Sequence, residues 1–395
     1  MDVNKTSHEW TSSFPEILFG SDFERRGPRP LALHIAQAEL AWRDSNRQQL
    51  CNFYRGINAY RRHPYRREAH PKPTIWERGG CKLFDFGPEA GWPLLVIPSL
   101  INRAYILDLM PEASMLDFLG KHNIRPLLFD WGTEATSSER LTLDQLILER
   151  MKPALKSAHD RTGKRPLVLG YCMGGTLATA LACLAKEHTA GLGLLAAPWN
   201  FDQTNYPTNQ SALQWSMLTS LAGFIGGTPI DLLQTLFAQV DPMSVPEKFA
   251  KFAKLDPTSK AAIRFVAIED WLNDGTSLNA EITSECFLDW YGSNMPGRGA
   301  WQIDGIQVRP DRLNLPIWLA VPERDRIVPP QSALFLANML TGCELIRPKG
   351  GHVSMVAGLN AENVLWNPLL CWLKRIAAMQ KSLGETPLMN VSLSV

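Results

Sequence analysis

The stretch PLVLGYCMGGTLA, residues 166–178, decides how the chain folds. Pro166 to Gly170 is a short, wholly apolar run, the pattern of a strand covered on both faces. Met173 to His188 is rich in small residues and reads as a helix. Between them stands Gly170-Tyr171-Cys172-Met173-Gly174-Gly175, a G-x-C-x-G turn with the form of a nucleophile elbow, cysteine replacing serine. The turn is tight enough that side chains two before and two after its centre collide, and Gly170 and Gly174 remove them. The Cys172 sulfur is thereby lifted above the carboxyl edge of the sheet, at a helix N-terminus whose partial positive charge favours thiolate. The amide of Met173 then points at a developing oxyanion. A glycine-rich turn holding a buried cysteine is the competing reading; the flanking strand and helix favour the nucleophile.

The alternation extends outward from this elbow. CKLFDFG from Cys81, WPLLVIP from Trp92 to Pro98, IRPLLFD from Ile124 to Asp130 and LGLLAA from Leu192 to Ala197 read as strands. Leu141 to Asp160 reads as a helix kinked at Pro153. After Pro198 the pattern lapses into a stretch rich in Trp, Phe, Met and Pro. It resumes with LPIWLAVPE (315–323), a helix from Gln331 to Leu340, CELIRP (343–348) and a final helix over about 361–380. Apolar strands alternating with helices imply a parallel sheet covered on both faces. The expectation is an α/β fold of the α/β-hydrolase kind, with a mostly parallel central sheet and a cap inserted between late strands. Its parts are an N-terminal helical and irregular segment (1–80), a core (81–198 and 312–380), the cap (199–311) and a loose tail (381–395). Within the first segment, residues 28–60 read as helical, with Leu33, Ala36 and Leu40 at helical spacing; residues 61–76, broken by three prolines, read as irregular.

In such folds the acid and then the base follow the nucleophile in chain order. Asp325 stands just past a late strand, in Glu323-Arg324-Asp325-Arg326-Ile327-Val328-Pro329, with Glu323 as its competitor. His352 follows the next strand, in Lys349-Gly350-Gly351-His352. His188 is the other histidine beyond Cys172 and closes the elbow's helix; His63, His70 and His122 read as surface residues. The plain alternatives are a turn carboxylate paired with Arg326 and a loop histidine, and neither explains why all three residues fall at strand ends in the required order. A Cys–His pair attacks acyl carbonyls well, because thiolate is nucleophilic near neutral pH. Cysteine also suits thioester substrates, since sulfur-to-sulfur exchange is nearly balanced and leaves a reactive acyl-enzyme. The second oxyanion donor is expected after the VIP strand, at Ser99 to Leu100, with the Leu100 amide as the choice.

Composition narrows the classes. Of 395 residues 45% are hydrophobic and 20% charged, and the net charge of +1 gives no reason to expect nucleic acid or an anionic membrane. Arg55, Arg61, Arg62, Arg66 and Arg67 crowd together, as a solvated face or a contact for phosphates, the first being favoured. No apolar run reaches the roughly 18–20 residues of a membrane span and no signal peptide is visible, so a cytoplasmic location is expected. The seven cysteines form no CxxC pair and are expected to be reduced. No HExxH motif, paired Cys/His cluster or dinucleotide fingerprint appears, and no metal or resident cofactor is expected.

Several segments together resemble the polyhydroxyalkanoate synthases. The G-x-C-x-G-G box is present as Gly170, Cys172, Gly174 and Gly175. Asn102, Tyr105, Asp108, Asp130, Trp131 and Gly132 carry the match upstream, WLNDGTSL (271–278) carries it in the cap, and DRIVPP and GGHVSMVAG carry it downstream. The resemblance runs over about residues 50–375 and is to the shorter classes of that family. It departs at Arg326, where the family has His, and at Pro330, where it has Trp. It implies polymerisation of (R)-3-hydroxyacyl-CoA into polyester through an acyl group on Cys172, with CoA as part of substrate and product. It implies Asp325 and His352 as the remaining catalytic residues and a second synthase subunit or a second copy of the chain as partner. The surface of a polyester granule is the implied working place. A thiol-type thioesterase or intracellular polyester depolymerase is the alternative within enzymes, and a non-catalytic granule-binding or partner subunit the alternative outside them. Asp130 and Trp131 lie near the expected site, where structural packing is the favoured reading for both.

Overall fold

The runs that read as strands do form strands, and they supply seven of the eight strands of one sheet. In the computed structural model, residues 25–132, 140–203 and 208–384 are described. The strands are β1 (Thr74–Arg78), β2 (Cys81–Asp85), β3 (Trp92–Ile97), β4 (Ile124–Asp130), β5 (Leu167–Tyr171), β6 (Gly191–Leu195), β7 (Ile317–Ala320) and β8 (Glu344–Ile346). Their order across the sheet is β1-β2-β4-β3-β5-β6-β7-β8. All neighbours from β4 to β8 pair in parallel, while β1 and β2 are antiparallel at one edge. Every residue of β3, β5, β6 and β7 is buried, which explains continuous apolar runs rather than alternation.

One topological detail positions the site. The chain passes from β3 to β4 on one side, then returns to lay β5 on the other side of β3. Connections leaving β3 and β5 therefore diverge, and a crevice opens at their carboxyl ends, where open α/β sheets receive ligands.

Three expectations need correction. β1 lies partly inside the stretch read as irregular, so the sheet begins before residue 81; its half-exposed edge position carries Glu77 and Arg78 and gave no apolar run. The helix expected to kink at Pro153 instead carries a wide π-helical turn, Leu146–Met151, and Pro153 sits in the first turn of the segment Lys152–Thr162. The parts of the chain also divide along different lines. Among the described residues, the sheet belongs to a compact unit within 70–227 and 277–384, whereas residues 25–69 group with Thr228–Thr276. Residues 228–276 of the expected cap thus belong with the N-terminal helices. Of the expected tail, the helix Asn367–Gly384 takes the first part, and the remainder lies outside the described residues.

The second unit has its own core, which is the physical reason for this division. Phe53, Ile57 and Tyr60 of helix Arg47–Arg62 pack with Phe249 and Phe252 of helix Ser244–Phe252 and with Val266. Gly56 allows the two helices to touch: a Cβ there would lie 2.0 Å from the Phe249 carbonyl oxygen. Polar groups tie the unit further. The Arg25 guanidinium donates to both Asp270 oxygens at 2.6 and 2.8 Å, and the Tyr60 hydroxyl donates to Asp270 at 2.7 Å. The preceding helix, Leu31–Trp42, buries His34, Ile35 and Ala38, while Leu40 is 91% exposed. Its apolar residues surround the helix, so periodicity identified the helix and missed its buried face.

Adding a methyl at Gly56 forces two helix backbones apart. Gly56→Ala should lower stability by about 1–3 kcal/mol through overpacking. Gly223→Ala, in a helix where an added Cβ meets nothing within 4 Å, should raise it by up to about 1 kcal/mol. Urea unfolding midpoints of the two variants check both signs.

Candidate active site

β5 ends at Tyr171, and the helix Met173–Leu184 begins immediately after the elbow. Cys172 itself is the corner, with φ 55° and ψ −129°. That strained backbone is held on several sides. The Cys172 amide donates to Leu195 O on β6 at 2.9 Å, and the Cys172 carbonyl accepts from the Gly175 amide at 2.8 Å. A Cβ on Gly170 would lie 2.5 Å from the Gly175 Cα, and one on Gly175 would lie 2.4 Å from the Ala197 Cβ. At Gly174 the obstacle comes from another strand: a Cβ would sit 2.2 Å from Pro98 O and 2.5 Å from Ile97 O. The glycines thus let the elbow press against the ends of β3 and β6. Cys172 is 9% exposed, with its sulfur at the head of a helix of twelve residues.

The candidate acid and base meet this corner. His352 Nδ1 lies 2.7 Å from Asp325 Oδ2, and both side chains are buried. The other Asp325 oxygen accepts the amides of Ile327 and Val328, both at 2.9 Å. A carboxylate so held orients the imidazole and fixes its Nδ1 as the protonated nitrogen. The imidazole is in turn hydrogen-bonded with Cys172. Burial alone would lower the imidazole's pKa. The Asp325 carboxylate and Cys172 outweigh it and push His352 from 6.5 up to about 10. Glu323, the competing acid, is exposed, so geometry favours Asp325.

The other histidines lie elsewhere. His188 sits on a 3-10 turn with Nε2 3.7 Å from Glu187. His122 has its Nδ1 2.8 Å from the Phe118 carbonyl, and His70 is exposed. His63 corrects an expectation: it is buried, with Nε2 2.8 Å from Pro257 O, so it serves packing rather than the surface. Arg61 is likewise buried and donates to Arg26 O, whereas Arg55, Arg62 and Arg66 are exposed. All seven cysteines are free thiols. Among the described residues no group of three or more His, Cys, Asp or Glu is placed to hold a metal ion, and no helix is long and apolar enough to cross a membrane.

For an oxyanion, Met173 occupies the first position of the elbow helix, where an amide has no intrahelical partner. Leu100, fully buried, lies in the turn after β3, the strand that pairs with β5. Two residues beside the site escaped the sequence reading of its chemistry. The Tyr171 ring lies 5.1 Å from the His352 ring, and its hydroxyl donates to His352 O at 3.3 Å. The Trp131 indole N–H reaches the turn after β3, at Ser99 O and Pro98 O. Both are aromatic residues adjoining a strand's carboxyl end, and that position was the available signal.

Comparison with known proteins gives a consistent picture. The model of a family described as "Alpha/beta hydrolase family" matches residues 102–361, a span that includes Cys172, Asp325 and His352. The chain is 29% identical over 311 residues to the poly(3-hydroxyalkanoate) polymerase subunit PhaC of Haloferax mediterranei, covering 76% of this chain and 63% of that one. With the protein of the same name from Synechocystis sp. it shares 24% over 317 residues, covering 77% and 84%. With that of Allochromatium vinosum it shares 25% over 320 residues, covering 77% and 88%. Among solved structures, a Mycobacterium tuberculosis protein described as the non-heme bromoperoxidase BpoC superposes with a TM-score of 0.50 at 15% identity, covering 78% of this chain and 99% of that one. That likeness is one of fold.

The raised imidazole makes stability depend on pH. Its folded pKa lies above the unfolded value, so its contribution is complete below about pH 6.5 and disappears as the pH rises through about 10. Asp325→Asn removes the charge that holds the proton. The variant should lose about 3 kcal/mol or more at pH 6, the cost of breaking a buried pair, and the deficit should shrink as the pH approaches 10. Denaturant titrations at a series of pH values measure it.

Proposed function

The chain belongs to the alpha/beta hydrolase family, and from that premise we propose that it is an acyltransferase extending a polyester from (R)-3-hydroxyacyl-CoA. One observation carries the reading: the elbow holds a cysteine, hydrogen-bonded with a buried His352 that rests on Asp325. The relatives described as poly(3-hydroxyalkanoate) polymerase subunits support the choice of substrate.

His352 takes the Cys172 proton, and the thiolate attacks the thioester carbonyl of the acyl-CoA. Negative charge collects on the carbonyl oxygen, toward the amides of Met173 and Leu100. Collapse breaks the bond to CoA sulfur, which leaves with the proton from His352. Cys172 now carries the acyl group as a thioester of nearly the same energy as the one consumed. The hydroxyl of a second 3-hydroxyacyl unit then gives its proton to His352 and attacks the acyl carbon. A carbon–oxygen ester bond forms, and the bond to Cys172 sulfur breaks. Passing from thioester to oxygen ester is downhill, which drives growth, provided water does not reach the acyl-enzyme first. Asp325 keeps the imidazole oriented through both proton transfers, and in the second it helps activate the incoming hydroxyl.

The same reading places a second synthase subunit or a second copy of the chain beside this one, and the growing granule surface around them. Purified protein with (R)-3-hydroxybutyryl-CoA should release free CoA thiol and form insoluble polyester, and Cys172→Ala should do neither. Release of CoA with only free 3-hydroxybutyrate would make the chain a thioesterase. Absence of release from the unaltered protein, alone and with a synthase partner subunit added, would overturn the reading.

A further inference from the structure

The base of the proposed mechanism is held at two places by two consecutive residues. Cys172 meets the imidazole of His352, and Tyr171, the last residue of β5, meets its main chain. The Tyr171 hydroxyl donates to His352 O at 3.3 Å, and its ring lies 5.1 Å from the imidazole with the two planes 30° apart. Tyr171 is 1% exposed. A buried tyrosine, unlike a buried phenylalanine, needs a partner for its O–H. Here that partner is the residue on which the chemistry turns.

The His352 carbonyl is open to the phenol because the turn around it passes it over. The amide of Met355 goes to Gly351 O at 3.1 Å, and those of Val356 and Ala357 both go to Val353 O, at 3.1 and 3.0 Å. A buried carbonyl left unpaired is costly. The Tyr171 hydroxyl therefore satisfies a group that the short helix Ser354–Ala357 leaves out.

The same contact limits how the imidazole moves. Gly350, at φ 141°, and Gly351 lead into His352, so no side chain anchors the chain just before it. Asp325 takes the imidazole at Nδ1, 2.7 Å away. A ring held at one corner can still swing about that bond. A main chain fastened to β5 and an aromatic face beside the imidazole oppose the swing, and both come from the residue next to the nucleophile. Burial, reinforced by Cys172 and Asp325, pushes the phenol's pKa well above its ordinary value, so the hydroxyl stays a donor.

We propose that Tyr171 is a positioning residue: its hydroxyl and ring fix His352 so that the imidazole stays bonded to Asp325 and Cys172 at once. The inference rests on the proposed acylation, in which His352 is the base.

Alkylation of Cys172 by iodoacetamide tests this hold apart from any acyl chemistry. The sulfur displaces iodide at a saturated carbon, and it reacts as thiolate. At neutral pH the thiolate depends on the imidazole beside it. At about pH 9.5, above the ordinary thiol pKa, hydroxide supplies it without that help. Mass analysis of the peptide carrying Cys172 gives the rate. Tyr171→Phe keeps the ring and removes the hydroxyl. It should slow alkylation at neutral pH by roughly 3- to 10-fold, the loss of one hydrogen bond, and leave the alkaline rate unchanged. 4-Aminophenylalanine at position 171 restores a donor at the same place and should recover the neutral rate. Equal neutral rates for Tyr171→Phe and unaltered protein overturn the proposal. A fall by the same factor at both pH values also overturns it, because the tyrosine would then be supporting structure only. So does a neutral deficit that 4-aminophenylalanine fails to recover. If Tyr171→Phe does not fold, 4-fluorophenylalanine at position 171, close in size to tyrosine but without the O–H, gives the same comparison. Acylation by the N-acetylcysteamine thioester of (R)-3-hydroxybutyrate, followed on the same peptide, keeps the two readings apart. Its absence from unaltered protein that still alkylates overturns the functional reading, while the alkylation rates still decide the hold of Tyr171 on His352.

Discussion

The backbone of Cys172 is the constraint on which the centre of this molecule depends. An L-residue held at φ 55° and ψ −129° stores on the order of 1–3 kcal/mol of strain and persists only where its surroundings enforce it. The enforcement comes from three parallel strands. β5 delivers the residue, β6 takes its amide through Leu195 O, and the end of β3 lies directly on Gly174. No side chain fits at Gly170, Gly174 or Gly175 in that contact. The strand order follows from the same point, because the elbow can touch the β3 turn only if β3 and β5 are neighbours with their connections diverging.

Electrostatics imposes the second constraint. A carboxylate with a fully buried side chain must have its lone pairs taken, and Asp325 meets this with two amides from its own turn and one imidazole. The turn's shape is therefore part of the site. The two departures from the synthase pattern fall around this turn and outside the bonds themselves. Arg326 is exposed, and Pro330 opens the helix Pro330–Met339, where a missing N–H costs nothing.

What the sequence made legible follows from burial. Strands covered on both faces announce themselves as apolar runs, so β3 to β6 were found to within two residues at either end, and β7 to within three. The candidate nucleophile, acid and base could be named from the sequence because in this fold each is expected at a strand's carboxyl end in a set order, and the hydrogen bond between His352 and Asp325 is found there. β1 was not legible, since an edge strand half in solvent looks like the loop beside it. Nor were the exposed Leu40 and the buried His63, because tertiary packing alone decides which side of a helix or loop is covered. Tyr171 and Trp131 were visible as neighbours of the site, but a hydrogen bond to a carbonyl distant in sequence leaves no trace in spacing. Grouping residues 228–276 with the N-terminal helices is a fact of the same kind.

That last grouping bears on how the chain is made. The apolar face of helix Arg47–Arg62 finds its partner in Phe249 and Phe252, about 190 residues later, which at ~5–20 residues per second of synthesis is a delay of roughly 10–40 s. Throughout that interval Phe53, Ile57 and Tyr60 have left the ribosome without the surface that finally covers them. The whole β3-to-β6 sheet segment, Cys172 included, is translated inside the same window. Helix Arg47–Arg62 is thus synthesised well before the β3-to-β6 segment and covered only after it, which makes it a segment that a chaperone would shield during synthesis.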